Sequence, residues 1–306
     1  MKIYIDLSCD KVNGQQHMQR ALRDYCIEKD IYTEKDDADI LVYVQVPFDE
    51  NILDEWMKYK VQGKRIVFIH HYMSKSFYER CAIFKIEGLF DLIDYHVCIS
   101  KDCELYDYLL SRKINKDRIF ILELAASEYT QLYKKYFKQV YDKEVNSICF
   151  IGKAIKGVDK FVDYCNEYLF TKMYILCPDI EKCHKDLSKF IVYTNKRFDE
   201  VYEIMSKCTF IYCPSVYNTP PMHLETSLQE AIPCGCIPVV DDSYKEILKT
   251  KDIQKYGFVL QNEVNKYDLS TLQQSAIAFQ KKNYLTLSQT LAKLVKYFQS
   301  IYLLLD

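Results

Sequence analysis

Residues Ile148–Asp159 run from an apolar stretch into Gly152, then Lys153, then Lys156, then Gly157. A buried strand that ends on a glycine and is followed by two lysines three apart, with a second glycine opening a helix, suits a diphosphate. Such an anion needs point charges together with backbone donors at a helix N-terminus. The competing reading is a lysine-bearing surface turn. The segment lacks the GxxxxGK[ST] pattern of a Walker loop, and no GxGxxG occurs in the chain, which weighs against a dinucleotide redox enzyme. A second constellation begins at Tyr212-Cys213-Pro214-Ser215, turns through Asn218-Thr219-Pro220-Pro221 and enters a helix carrying Glu225 and Glu230. Five residues correspond to about 140° around a helix, so these two carboxylates need not share a face. Glu230 falls where the helix packs toward the next strand, and a carboxylate there can accept both hydroxyls of a ribose. The alternative is an ordinary glutamate on a helix surface. Together, residues 147–240 read as a pocket for a phosphate-bearing nucleotide.

The elements that must position these groups are legible as β-branched runs alternating with amphipathic segments. Expected strands are Lys2–Leu7, Ile40–Val46, Arg65–Ile69, Tyr95–Ile99 and Arg118–Leu122. A second series follows at Ser147–Ile151, Met173–Leu176, Phe190–Tyr193, Thr209–Cys213, Cys236–Val240 and Phe258–Leu260. Helical patterns at about 15–28, 50–60, 74–86, 101–112, 158–169, 198–207, 223–232 and 243–249 separate them. Runs that are apolar on both faces require a parallel sheet covered by helices, so the class is α/β. Eleven strands fit two sheets better than one. The expected division is 1–143, an N-terminal domain; 144–284, a C-terminal domain; and 285–306, a C-terminal helix able to cross back to the first. Glu128–Lys143 reads as a polar helix at the join. In doubly wound sheets ligands bind beyond the carboxyl ends of the strands. The residues there include Ser8–Gly14, His70 and His71, Ser100, Gly152–Gly157, Asn195–Arg197, Pro214–Pro221 and Asp241–Ser243.

Whole-chain totals narrow the classes. The 306 residues are 49% hydrophobic and 27% charged, with a net charge of −2 and a pI of about 6.3. These are the proportions of a soluble globular protein and not of a polycation built for nucleic acid. Local basic faces from Lys58, Lys60, Lys64 and Arg65, or from Lys75 and Arg80, read first as solvated surface. The start of the chain reads as a buried strand, no apolar run approaches a membrane span, and thirteen cysteines are scattered through strand- and helix-like segments. A cytoplasmic chain with reduced thiols is expected. Two acidic signals are discounted as metal sites. Asp37-Ala38-Asp39 precedes a strand, and Asp241-Asp242 fits a helix-capping loop. Only seven glycines occur, three of them (Gly152, Gly157, Gly235) within 147–240.

Leu228-Gln229-Glu230-Ala231-Ile232-Pro233-Cys234-Gly235-Cys236-Ile237-Pro238-Val239-Val240 resembles the donor-site signature of the retaining GT-B glycosyltransferases of the family-four type. Gly152-Lys153 with Lys156-Gly157-Val158-Asp159 resembles that family's basic pair, and Asp91–Ile121 resembles its last N-domain strand, serine and following helix and strand. The resemblance covers most of the chain in order. It implies two Rossmann-like doubly wound domains facing a cleft, and a hexose, favouring a glucose-like one, moved with retention from a nucleotide diphosphate sugar to an acceptor hydroxyl. It implies that Lys153 and Lys156, with Gly152, meet the leaving diphosphate, so that Lys153 is catalytic. Glu230 would hold the donor ribose, and Asn195, Lys196 and Arg197 would edge the nucleobase. His70, with His71 as the competing choice, matches the family's histidine near the transferred sugar. No cofactor is expected beyond the co-substrate, a UDP-sugar by preference or a GDP-sugar. No metal is expected either, because basic side chains and helix dipoles would stabilise the departing diphosphate. The acceptor class stays open among a saccharide, a lipid-linked glycan, a protein and a modified DNA base. The chain departs from the family pattern eight residues before Glu230, where Met222 replaces the usual glutamate. Met222, His223, Leu224 and Glu225 therefore become the sugar-facing set, with His223 or Glu225 substituting for the missing carboxylate. This departure also supports an alternative, a catalytically impaired nucleotide or nucleotide-sugar binding protein of the same fold.

Overall fold

A computed structural model describes residues 1–7, 14–44, 46, 50–70, 75–122, 129–214 and 224–303. His71, Met222 and His223, and most of the Ser8–Gly14 and Pro214–Pro221 loops, lie outside the described residues. The chain forms two compact units, Met1–Ala126 with Leu287–Asp306, and Ser127–Thr286.

The first unit contains, in order, β1 (Ile3–Ile5), α1 (Gly14–Glu28), β2 (Ile40–Tyr43), α2 (Glu50–Val61), β3 (Arg65–Ile69), α3 (Ser76–Ile83), α4 (Gly88–Leu92), β4 (Tyr95–Cys98), α5 (Glu104–Ser111) and β5 (Ile119–Ile121). All strand pairs are parallel and their order is β1-β2-β3-β4-β5. Alternation along the strands decides what each face meets. Leu41, Tyr43, Ile66 and Phe68 pack with Trp56 of α2, Cys81 of α3 and Leu89 of α4. On the opposite face Tyr95 and Phe120 meet Tyr297, whose ring stacks on Phe120 at 4.1 Å. Tyr297 belongs to the last helix, α12 (Leu287–Leu303), which follows the second unit in sequence but packs with the first.

The second unit contains α6 (Tyr129–Tyr136), β6 (Glu144–Ile151), α7 (Val158–Glu167), β7 (Lys172–Leu176), β8 (Ile191–Tyr193), α8 (Phe198–Lys207), β9 (Cys208–Cys213), α9 (Thr226–Ala231), β10 (Ile237–Val240), α10 (Tyr244–Ile247), β11 (Val259–Leu260) and α11 (Leu269–Asn283). Its parallel sheet runs β11-β10-β9-β6-β7-β8. Ile148, Phe150, Phe210 and Tyr212 pack under α7, whereas Cys149, Ile211, Cys213 and Val240 pack under α8, α9 and α11. The chain moves outward from β6 to β8, then returns to the other side of β6 with β9. That reversal is a topological switch point, where ligands of such sheets bind.

Three departures from the expected elements have local causes. Within the described part of Glu128–Lys143, the α-helix covers Tyr129–Tyr136, and a separate 3-10 turn forms at Val140–Asp142. The 74–86 pattern is α-helical only over Ser76–Ile83 (α3) among the described residues, Lys85 follows at a φ of 56°, and a separate helix, α4, comes after it. Helix α11 has a blunted apolar stripe, because Gln273 and Gln280 share its buried face with Leu272, Ala276, Ile277 and Phe279. Gln273 accepts a bond from the Val140 amide and donates to the carbonyls of Lys138 and Gly235, and Gln280 donates to Gln229. Buried amides that find such partners supplement hydrophobic packing. Gly235 must be glycine here. Its φ is 87°, and a Cβ would come within 2.4 Å of the Lys138 carbonyl oxygen.

Candidate functional site

The β6–α7 connection is held tightly. Gly152 adopts a φ of 150°, which a side chain would strain, and Gly157 closes the following 3-10 turn (Ala154–Lys156) at a φ of 103°. Asp179, just past β7, accepts the Ala154 amide at 2.8 Å. The Gly152 amide is also taken, by the Leu176 carbonyl at 3.1 Å. Two of the backbone donors that a phosphate could have used are thus committed to fixing the turn. What the loop offers an anion is chiefly its two ammonium groups. Lys153 is exposed, whereas Lys156 turns toward the sheet and meets Glu225 at 3.0 Å.

Lys156 and Glu225, with Ile151, Cys213, Pro214 and Ser227, line a small pocket at the carboxyl ends of β6 and β9. This is the switch point of the sheet. Glu225 precedes α9, and Glu230 lies one and a half turns further on. Glu230 is 7% exposed, so it is not a solvated surface glutamate. The hydroxyl of Tyr202, from α8, donates to its Oε1 at 3.2 Å. Tyr202 is itself wedged against Tyr136 and Phe198. A buried carboxylate held by a buried phenol is an oriented acceptor, suited to vicinal hydroxyls.

The other expected site residues are distributed differently. Leu224 is fully buried among Leu228 and Ile232, so its side chain packs in the core and does not line the pocket. Asn195, Lys196 and Arg197 follow the edge strand β8, two strands from β6, and are exposed. Glu200 occupies this end of α8, pairing with Lys196 at 2.7 Å and accepting the Arg197 amide at 3.0 Å. Asp241 accepts the Ser243 amide at 3.1 Å, a local turn before α10, whose N-cap Ser243 makes no side-chain capping bond.

In the first unit, His70 immediately follows β3 and is 3% exposed. Its Nε2 lies 3.1 Å from His96 Nδ1 and 3.2 Å from the Tyr78 hydroxyl. Burial, then the neighbouring His96, holds the His70 imidazole well below its ordinary range. Burial, then the Arg118 guanidinium, lowers His96 to about 3. Both rings are neutral near pH 7. On unfolding they regain the ordinary value of 6.5, so below that pH the unfolded chain binds more protons than the folded one. Stability is therefore complete above about pH 6.5 and falls as pH drops beneath it. Urea midpoints of the wild type should decrease by the equivalent of about 2–3 kcal/mol between pH 7.5 and 5.5, roughly 1.4 kcal/mol for each ring. A flat profile over that window would contradict the neutral buried pair. Tyr78, His96, Asp179 and Tyr202 carry no motif of their own. Only their placement beside His70, Ala154 and Glu230 reveals them.

No family model and no curated protein matches the chain. Solved structures do. An alpha-glucosyltransferase in complex with UDP superposes with a TM-score of 0.71 over 96% of this chain and 98% of that one, at 16% identity. The chain has the GT-B fold. An alpha-glucosyltransferase in complex with UDP-glucose and DNA containing an abasic site gives a TM-score of 0.70, covering 96% and 97% of the two chains at 16% identity. A further complex, with UDP and a 13-mer DNA containing a HMU base, gives 0.71 over 97% and 98%, again at 16%. In this GT-B chain the switch-point pocket belongs to the second unit, and no helix among the described residues is long and apolar enough to cross a membrane.

Proposed function

We propose that the chain is a hexosyltransferase that takes a nucleotide diphosphate sugar, UDP-glucose by preference, and transfers the sugar with retention to an acceptor hydroxyl. The observation that carries this reading is the meeting of Lys156 and Glu225 at the β6/β9 switch point, with the buried carboxylate of Glu230 on the helix that follows. In this reading Lys153 and Lys156 neutralise the diphosphate as it departs, and no metal is required for that step. Glu230 receives the ribose hydroxyls. Glu225 takes the sugar-facing place left by Met222, and His70 contacts the transferred sugar. The residues after β8 border the nucleobase. The first unit carries the acceptor side. Among acceptor classes a modified DNA base draws support from the glucosyltransferase complexes with HMU-containing DNA.

The purified chain should show a rise in melting temperature with UDP-glucose, as any ligand binding only the folded state produces. It should also release UDP, slowly alone and faster with the right acceptor. HMU-containing duplex and simple saccharides are the first acceptors to supply. Absence of both binding and turnover with UDP- and GDP-sugars would overturn the assignment. Met222 favours one other reading, a nucleotide-sugar binding protein that has lost transfer. Saturable binding of UDP-glucose without any UDP release, across all acceptors, is its signature.

A further inference from the structure

The imidazoles of His70 and His96 and the hydroxyl of Tyr78 form a closed triangle inside the first unit, with edges of 3.1, 3.2 and 3.3 Å. Their rings are hemmed in by aromatic neighbours. Phe68 and Phe77 flank His70, and Phe90 flanks both Tyr78 and His96. The remaining nitrogen of His96, Nε2, is fully buried and has no hydrogen-bond partner among the described residues. That single fact selects among the proton arrangements.

A proton on His96 Nε2 would leave a buried N–H donor unsatisfied, at a cost of about 1–3 kcal/mol. An acceptor left bare in the interior is the lesser cost, since orphaned buried N–H groups are the rarer case in folded proteins. A bare lone pair at Nε2 is the better state there, so the His96 proton sits on Nδ1. His96 Nδ1–H then faces His70 Nε2 at 3.1 Å, and two N–H groups cannot point at one another. His70 Nε2 must accept, from His96 and from the Tyr78 hydroxyl, and its own proton must be on Nδ1.

We propose that Tyr78 and His96 are positioning residues that hold His70 as the neutral tautomer protonated on Nδ1, so that it meets a ligand as a hydrogen-bond donor and not as a base. The consequence for sugar transfer rests on the proposed contact between His70 and the sugar. In that setting a fixed N–H suits a sugar hydroxyl oxygen and cannot remove a proton from the acceptor.

The test uses the full chain labelled with 15N and a long-range proton–nitrogen correlation spectrum at pH 7.5. The His70 and His96 patterns are identified by their loss in His70→Gln and His96→Gln. The expected result for both rings is a protonated Nδ1 and a pyridine-like Nε2. His96→Phe should keep the His70 pattern, because the Tyr78 hydroxyl still donates to Nε2. Adding Tyr78→Phe should convert His70 to a mixture of tautomers. A protonated Nε2 on His70 in the wild type, or a doubly protonated ring, overturns the proposal, and that reading needs no variant to fold. Turnover of UDP-glucose by the same samples decides the transferase assignment separately, since the tautomer is read with or without activity.

Discussion

Glu230→Ala should weaken UDP binding by roughly two orders of magnitude or more. The expectation follows from what the carboxylate is proposed to do and how it is held. Charge-assisted hydrogen bonds contribute about 1.5–3 kcal/mol each, and two ribose hydroxyls on one carboxylate give about 3–4 kcal/mol after imperfect geometry is allowed for. At 1.4 kcal/mol per factor of ten that is a loss of about 100- to 1,000-fold in affinity. Truncation also removes the carboxylate to which the Tyr202 hydroxyl donates at 3.2 Å. Removing that partner should cost about 1–3 kcal/mol of stability. Calorimetric titration with UDP, alongside urea unfolding of the unliganded variant, separates the two losses. Tyr202→Phe supplies the control, because it keeps the carboxylate and removes the hydroxyl that donates to it. Its expected effect on UDP affinity is smaller, about three- to tenfold. Unchanged UDP affinity in folded Glu230→Ala would remove the ribose role.

The same residues show what was legible in the sequence. All eleven strands are readable because a parallel sheet buried on both faces demands uninterrupted β-branched and aromatic runs. Arg65–Ile69 forms with its expected ends. The glycine–lysine turn after β6 is readable for a different reason: few residues other than glycine can stand at Gly152 and Gly157, given their positive φ angles. Groups whose importance comes from a neighbour distant in sequence are not readable. Asp179 is 25 residues from the amide it holds, His96 is 26 from His70, and Tyr202 is 28 from Glu230. Local spacing cannot encode these pairings, which exist only because β6 and β7, β3 and β4, and α8 and α9 become neighbours. Helix α11 was hidden by the opposite effect. Its core face mixes Gln273 and Gln280 with Leu272, Ala276, Ile277 and Phe279, which blurs the hydrophobic pattern ordinarily sought.

The ion pair in the pocket leads to the other large effect, in which two substitutions should move UDP affinity in opposite directions. Lys156 Nζ lies 3.0 Å from Glu225 Oε2, with the carboxylate the more sheltered partner. An incoming diphosphate competes with that carboxylate for the ammonium. Lys156→Met removes the cation, keeps most of the aliphatic volume and leaves Glu225 facing the phosphate. Loss of attraction and gain of repulsion act together, and UDP affinity should fall by about 30- to 300-fold, a change of roughly 2–3.5 kcal/mol. Glu225→Gln keeps the shape but withdraws the competing charge. UDP alone should then bind about three- to tenfold more tightly, the scale of a partly exposed ion pair. Transfer from UDP-glucose should nevertheless decline in Glu225→Gln, because the proposed sugar-facing carboxylate is gone. Tighter product binding with slower turnover is a combination that a purely structural salt bridge does not produce. If Glu225→Gln weakened UDP as much as Lys156→Met does, the pair would be a scaffold holding the turn. The diphosphate would then have to be met by Lys153 alone.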